Sequence, residues 1–158
     1  MTNQINHDEI IYELNESEKT CRVIGNYSTS SDIFIPRSIY HGKFEYVVKS
    51  IEEKAFENSN SFSVQFAPDS ELQTIECSAF SSSTIERISI PSSLIELKNG
   101  WCEGASNLIK VSIMPNNQRY QSCDDQFVIE KGDKLVFVRR DIKSFSIPTN
   151  IKIIESYS

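Results

Sequence analysis

Ile88-Ser89-Ile90-Pro91, followed by Leu94-Ile95-Glu96-Leu97 and Trp101-Cys102, is the stretch on which the fold turns. Its first residues alternate apolar and polar, then stop at a proline. Alternation puts Ile88 and Ile90 on one face of an extended strand. Proline lacks an N–H and ends the strand. The same signature stands at Ile33-Phe34-Ile35-Pro36, Val64-Gln65-Phe66-Ala67-Pro68, Val111-Ser112-Ile113-Met114-Pro115 and Phe145-Ser146-Ile147-Pro148, which accounts for all five prolines. The second apolar residues fall at 35, 66, 90, 113 and 147, with spacings of 31, 24, 23 and 34. The two central values lie within the period of short solenoid repeats, about 20–29 residues.

A second element recurs at the same period. Val48-x-x-Ile51 leads to Ala55-Phe56, Leu72-x-x-Ile75 to Ala79-Phe80, and Leu94-x-x-Leu97 to Trp101-Cys102, where the small-then-aromatic order is broken. Ile151-x-x-Ile154 leads to Tyr157-Ser158. One unit therefore reads as strand, proline corner, apolar turn, Ala-Phe wedge and polar return. Such a unit cannot bury its apolar side alone, and stacking neighbours gives it a continuous core.

The two long spacings hold insertions. Residues 39–48 read as a hairpin turning at His41-Gly42, and residues 126–138 as a second, turning through Glu130-Lys131-Gly132-Asp133-Lys134. Ile10, Tyr12 and Leu14, then Cys21 and Val23, alternate around a polar turn and predict a third hairpin that caps the stack. The expected organisation is one domain over 1–158. It comprises a capping hairpin at 1–32, repeats at 33–115, an inserted hairpin at 116–140 and an incomplete last repeat at 141–158.

Composition agrees with strands. The chain has 21 Ile and 8 Val against 6 Leu and 4 Ala, and β-branched side chains suit a pleated surface better than a helix. Net charge is −6 with the basic residues scattered, so the concentrated Lys/Arg that a nucleic-acid groove needs is missing. Apolar runs are far short of the ~20 residues of a membrane span. The polar, acidic N-terminus does not read as a signal peptide. Cys21, Cys77, Cys102 and Cys123 stand far apart, which predicts isolated reduced thiols and disfavours a disulfide framework or a zinc knuckle.

The ordered alternation of I-x-I-P with L-x-x-I-x-x-x-A-F resembles the BspA-like leucine-rich repeats of mucosal protist and bacterial surface proteins. Ile11-Tyr12 through Cys21-Arg22-Val23-Ile24-Gly25 resembles the usual opening of such chains. Asn116-Asn117-Gln118-Arg119-Tyr120 with Asp124-Asp125-Gln126-Phe127-Val128-Ile129 resembles the family's interrupting hairpin. The resemblance spans residues 10–158. It implies a β-rich leucine-rich-repeat solenoid with a parallel strand ladder, irregular or helical turns on the other side, and inserted hairpins. It also implies a surface antigen or adhesion module that binds a host cell-surface or matrix protein. A cytoplasmic location stays open, because no signal peptide or span is visible.

No catalytic, cofactor or metal site is expected. His7 and His41 are the only histidines, one near the N-terminus and one in a turn. Asp124-Asp125 and Glu52-Glu53 are adjacent pairs, and neighbouring side chains on an extended segment diverge. Gly132 lacks phosphate-loop spacing. The outward strand positions remain: Phe34, Ser63, Gln65, Arg87, Ser89, Lys110, Ser112, Ser144 and Ser146. Of these, Phe34, Gln65, Arg87, Ser89, Lys110 and Ser112 are the candidate partner-binding residues, with Phe34 alternatively packed under the N-terminal hairpin. Two other readings stand beside this one: a carbohydrate-binding β-solenoid, disfavoured by the lack of an acid among the outward positions, and a repeat fragment with no ligand of its own.

Overall fold

The computed structural model describes residues 3–156. Those residues form a stack of strand-built coils with no helix. The strands are β1 (Gln4–His7), β2 (Ile10–Asn15), β3 (Thr20–Asn26), β4 (Asp32–Ile35), β5 (Ser38–His41), β6 (Phe44–Ile51), β7 (Ser63–Phe66) and β8 (Thr74–Ile75). They continue with β9 (Arg87–Ile90), β10 (Glu96–Leu97), β11 (Lys110–Ile113), β12 (Tyr120–Cys123), β13 (Phe127–Glu130), β14 (Lys134–Val138) and β15 (Ile153–Ile154).

The signature strands β4, β7, β9 and β11 pair in parallel, each with the next, as one sheet. Pro36 and Pro91 directly follow such strands, and Pro68 and Pro115 stand two residues past theirs. The apolar turn of each unit enters a second sheet, ordered β1-β2-β3-β6-β8-β10 with β5 paired to β6. Here β3, β6, β8 and β10 run parallel, with Ile51 beside Ile75 and Ile75 beside Leu97. The coils that begin at β4, β7 and β9 thus supply one strand to either sheet, and the residues pointing inward from both fill the core between them. Ile33, Ile35, Val64, Ile88, Ile90, Leu72, Ile75 and Leu94 are all buried there.

The wedges close the third side. Phe56 stacks on Phe80 at 5.0 Å, Phe80 meets Trp101 edge-on at 6.1 Å, and Trp101 meets Phe137 of β14 at 6.3 Å. Offset-stacked and edge-to-face pairs of this kind add roughly 0.5–1.5 kcal/mol each beyond the area they bury. The exchange of Ala-Phe for Trp101-Cys102 keeps one large and one small side chain in the wedge with their order inverted. Both residues are buried. Backbone hydrogen bonds link the turns as well: the Phe56 N–H donates to Ala79 O at 2.8 Å and the Phe80 N–H to Trp101 O at 2.9 Å.

Insertions and ends differ from the expectation in detail. The hairpin over 39–48 forms as β5–β6. The N-terminal cap has three antiparallel strands, β1 to β3, instead of two. The insertion after β11 is likewise a three-stranded β12-β13-β14 sheet, joined in parallel by β15. This sheet interrupts the second ladder. Beyond β10 the next rung is replaced by a side chain, as the Leu97 N–H donates to the Tyr120 hydroxyl at 2.7 Å.

The fifth signature, Phe145-Ser146-Ile147-Pro148, forms no strand. A parallel strand exists only if its backbone meets a neighbour in register. After the insertion the chain returns to the first ladder with Arg140, whose N–H donates to Leu108 O, and no ladder to β11 follows. Phe145 packs on Phe127 at 5.5 Å instead. Ile147, Ile153 and Ile154 are exposed, so the last unit lacks the buried apolar turn of the others. Tyr157 and Ser158, the expected start of its wedge, lie outside the described residues.

Candidate interaction surface

Parallel in-register pairing turns the outward residues of the first sheet into two rows. Asp32 pairs with Ser63, Ser63 with Arg87, and Arg87 with Lys110. The other row joins Phe34 to Gln65 and Ser89 to Ser112. Gln65, Arg87 and Lys110 are exposed, and Ser89 and Ser112 are half-buried. The six candidate residues therefore lie on one face. Five of them line a single depression of about 470 Å³ together with Phe62 and Met114. Phe34 stands beside it and lines a neighbouring hollow with His7 and Glu9.

Three expectations about this face are corrected. Phe34 is not covered by the N-terminal strands. Those belong to the other sheet, and Phe34 is 55 % exposed. Ser63 is buried, because it sits under the Asp32 carboxylate, to which its hydroxyl donates at 2.5 Å. The face also holds an acid after all, since Asp32 occupies an outward position at one end of the first row. Ser144 and Ser146 are exposed but belong to no strand.

Sequence reasoning missed Phe62. It shares the alternation of buried Val64 and so carries no outward signal, yet it lies just before β7 and is 40 % exposed. The Arg87 guanidinium sits over its ring at 5.5 Å, a cation–π contact that holds the arginine against the sheet. The resulting surface combines an aromatic platform, two cations and several hydroxyl and amide groups. It can bind by contact and hydrogen bonding.

His7 Nδ1 lies 3.2 Å from the Asp8 carboxylate, and His41 is exposed in its turn. Among the described residues no group of three or more His, Cys, Asp and Glu could hold a metal ion. All four cysteines are free, with Cys21 and Cys102 buried and Cys77 exposed. Burial pushes the Cys21 thiol up to about 12. It pushes Cys102 up to about 11, although the Arg140 guanidinium, 3.6 Å from the sulfur, pulls the other way.

Comparison with known proteins adds the family. The model of the BspA type leucine rich repeat region matches residues 21–127, in six copies. The chain belongs to the BspA-type leucine-rich repeat family. Its matched region spans the coils from β3 to the start of β13, the part in which parallel rungs and wedges recur. A BspA-type leucine-rich repeat protein is a repeat scaffold, and one solved structure of the same fold reaches a TM-score of 0.50. A leucine-rich repeat protein from Bacteroides capillosus is 21 % identical, with 71 % of this chain and 99 % of that one covered and a TM-score of 0.50. One from Eubacterium ventriosum is 17 % identical, over 99 % of this chain and 55 % of the other, with a TM-score of 0.48. The pneumococcal vaccine antigen PcpA is 14 % identical over 98 % of this chain, with a TM-score of 0.42, and this chain spans 61 % of its length. Among curated proteins none matches significantly.

Proposed function

We propose that this BspA-type scaffold is a surface antigen or adhesin-type module that recognises a host cell-surface or matrix protein through the outward face of β4, β7, β9 and β11. The observation that carries the reading is the depression in which Gln65, Arg87, Ser89, Lys110 and Ser112 meet the exposed Phe62, with Phe34 at its flank. Exposed aromatics and arginine are the residue types enriched in protein interfaces. A strand ladder presents them on a backbone that is already ordered, which lowers the ordering cost at binding. The family resemblance supports a surface location.

The test is a binding screen against purified matrix and cell-surface proteins with the wild-type chain and the variants Arg87→Glu and Lys110→Glu. Both variants are expected to weaken the interaction about tenfold or more. Unchanged binding in both, and in Phe62→Ser as well, would remove the assignment of this face.

A further inference from the structure

We propose that the occupant of this depression is an acidic polypeptide segment with apolar side chains, its carboxylates held between Arg87 and Lys110 and its apolar groups laid against Phe62 and Met114. The inference rests on the protein-recognition reading above and adds the partner's chemistry.

The chain has 16 Lys and Arg in a background of net −6, and eight of them meet a carboxylate among the described residues. Arg22 meets Glu13 and Glu52, Arg37 and Lys49 meet Glu71, and Arg119 and Lys134 meet Glu130. Arg87 and Lys110 stand outside these pairs and are neighbours in register. Among the described residues neither has a carboxylate within ion-pair distance, and Arg87 has only the Phe62 ring. Register nevertheless sets them side by side on neighbouring strands, about 4.8 Å apart in a parallel ladder. Like charges facing each other across a ladder repel. Two exposed cations on neighbouring strands can share a single carboxylate from outside.

The acids nearby do not fill the role. Asp32 lines the same depression but stands at the far end of the row, where it accepts hydrogen bonds from Ser63 and Ser31. Asp125 shares a smaller hollow with Arg87, Lys110 and Arg139, but forms no ion pair with either of the first two. The row thus runs from negative at β4 to positive at β9 and β11. Around the cations lie Phe62 and Met114 as apolar surface and Gln65, Ser89 and Ser112 as hydrogen-bonding groups. Such a mixture fits a polypeptide that alternates acidic and apolar side chains. A sulfated glycan or a nucleic acid is held by many cations and by counterion release, which two cations on an acidic chain do not supply.

Fluorescence anisotropy on the full chain tests this with labelled synthetic peptides of one length. One alternates Glu with Leu and Phe, one replaces each Glu by Gln, and one replaces each Glu by Lys. A heparin-type sulfated glycan serves as the fourth probe. The Glu peptide is expected to bind about tenfold more tightly than its Gln analogue and to weaken as salt rises. That preference should vanish in Arg87→Glu and in Lys110→Glu but persist in Lys43→Glu, an exposed lysine on the β5–β6 turn. Equal binding of the Glu and Gln peptides, no binding by any peptide, or tighter binding of the glycan would each overturn the proposal. Phe62→Ser separates the two levels of inference. Loss of a screened partner in Phe62→Ser, with no effect of either charge reversal, keeps the face and removes the acidic ligand. Retention of the partner in all three variants removes the face itself.

Discussion

Each wedge turn has two left-handed backbone positions. Lys54, Ser78 and Gly100 occupy the first, with φ of 62°, 55° and 73°, and Asn58, Ser82 and Gly104 the second, with φ of 56°, 51° and 73°. An L-residue adopts this conformation at a cost of roughly 1 kcal/mol. A Cβ at Gly104 would also lie 3.1 Å from Ser82 Oγ of the preceding coil. Gly104→Ala is therefore expected to lower stability by about 1–2 kcal/mol in a urea titration, and Gly104→Asn by less, since Asn58 already fills the equivalent place. Ala55-Phe56 and Ala79-Phe80 were legible in the sequence because small-then-aromatic pairs at one period are distinctive. The left-handed sites were not, because lysine, serine and asparagine fill them in two coils of three. The thiols make a second prediction at this scale. Burial holds Cys21 and Cys102 protonated, with pKa values raised to about 12 and about 11, whereas Cys77 is exposed. Alkylation of the native chain without reductant should label Cys77 first and leave Cys21 and Cys102 unlabelled until the chain unfolds. Mass spectrometry of the digested product reads this order.

Side-chain anchors fasten the inserted elements to the coils. Asn117, buried, donates from Nδ2 to Pro91 O at 2.9 Å and Leu94 O at 3.2 Å. Its Oδ1 accepts from the N–H groups of Arg119 at 2.8 Å and Tyr120 at 2.7 Å. One amide thus ties the start of β12 to the corner after β9. Asn117→Ala strands these groups and should cost about 2–4 kcal/mol in thermal or urea unfolding. The β5–β6 hairpin is tied by charge: Glu71 bonds Lys49 at 2.6 Å and Arg37 at 2.5 Å, and Arg37 also meets Glu45 at 2.9 Å. Lys49 and Arg37 hold the Glu71 carboxyl below its ordinary range. A depressed carboxylate gives its full contribution above the ordinary carboxylate pKa and loses it as pH falls through the lowered value. Hydrogen exchange at β5 and β6 should therefore quicken, relative to β8 and β9, as pH drops below about 4. The hairpin itself was legible from its His41-Gly42 turn. Its anchor was not, since Glu71 and Arg37 are 34 residues apart. The strand signature at Phe145-Ser146-Ile147-Pro148 misled for a related reason: alternation gives a segment an apolar face, but pairing depends on where an insertion returns the chain.

Over the whole molecule, period gave the architecture and register gave the surface. Spacings of 24 and 23 between Phe66, Ile90 and Ile113 imply coils of nearly equal length, and equal coils stack their strands in register. Register in turn aligns Asp32, Ser63, Arg87 and Lys110 into one row, and all of it but Asp32 was legible in the sequence. What the period could not supply was the state of that face: Phe34 bare, Ser63 covered, and Phe62 turned outward beneath Arg87. The account's central claim is that a protein partner docks on these rows and not on the opposite sheet or the inserted hairpins. Hydrogen–deuterium exchange of the full chain, with and without a partner from the matrix and cell-surface screen, tests this most directly. Slowed exchange confined to β4, β7, β9, β11 and the Phe62 turn is the expected result. Slowing confined to β3, β6, β8 and β10, or to β12, β13 and β14, would contradict it.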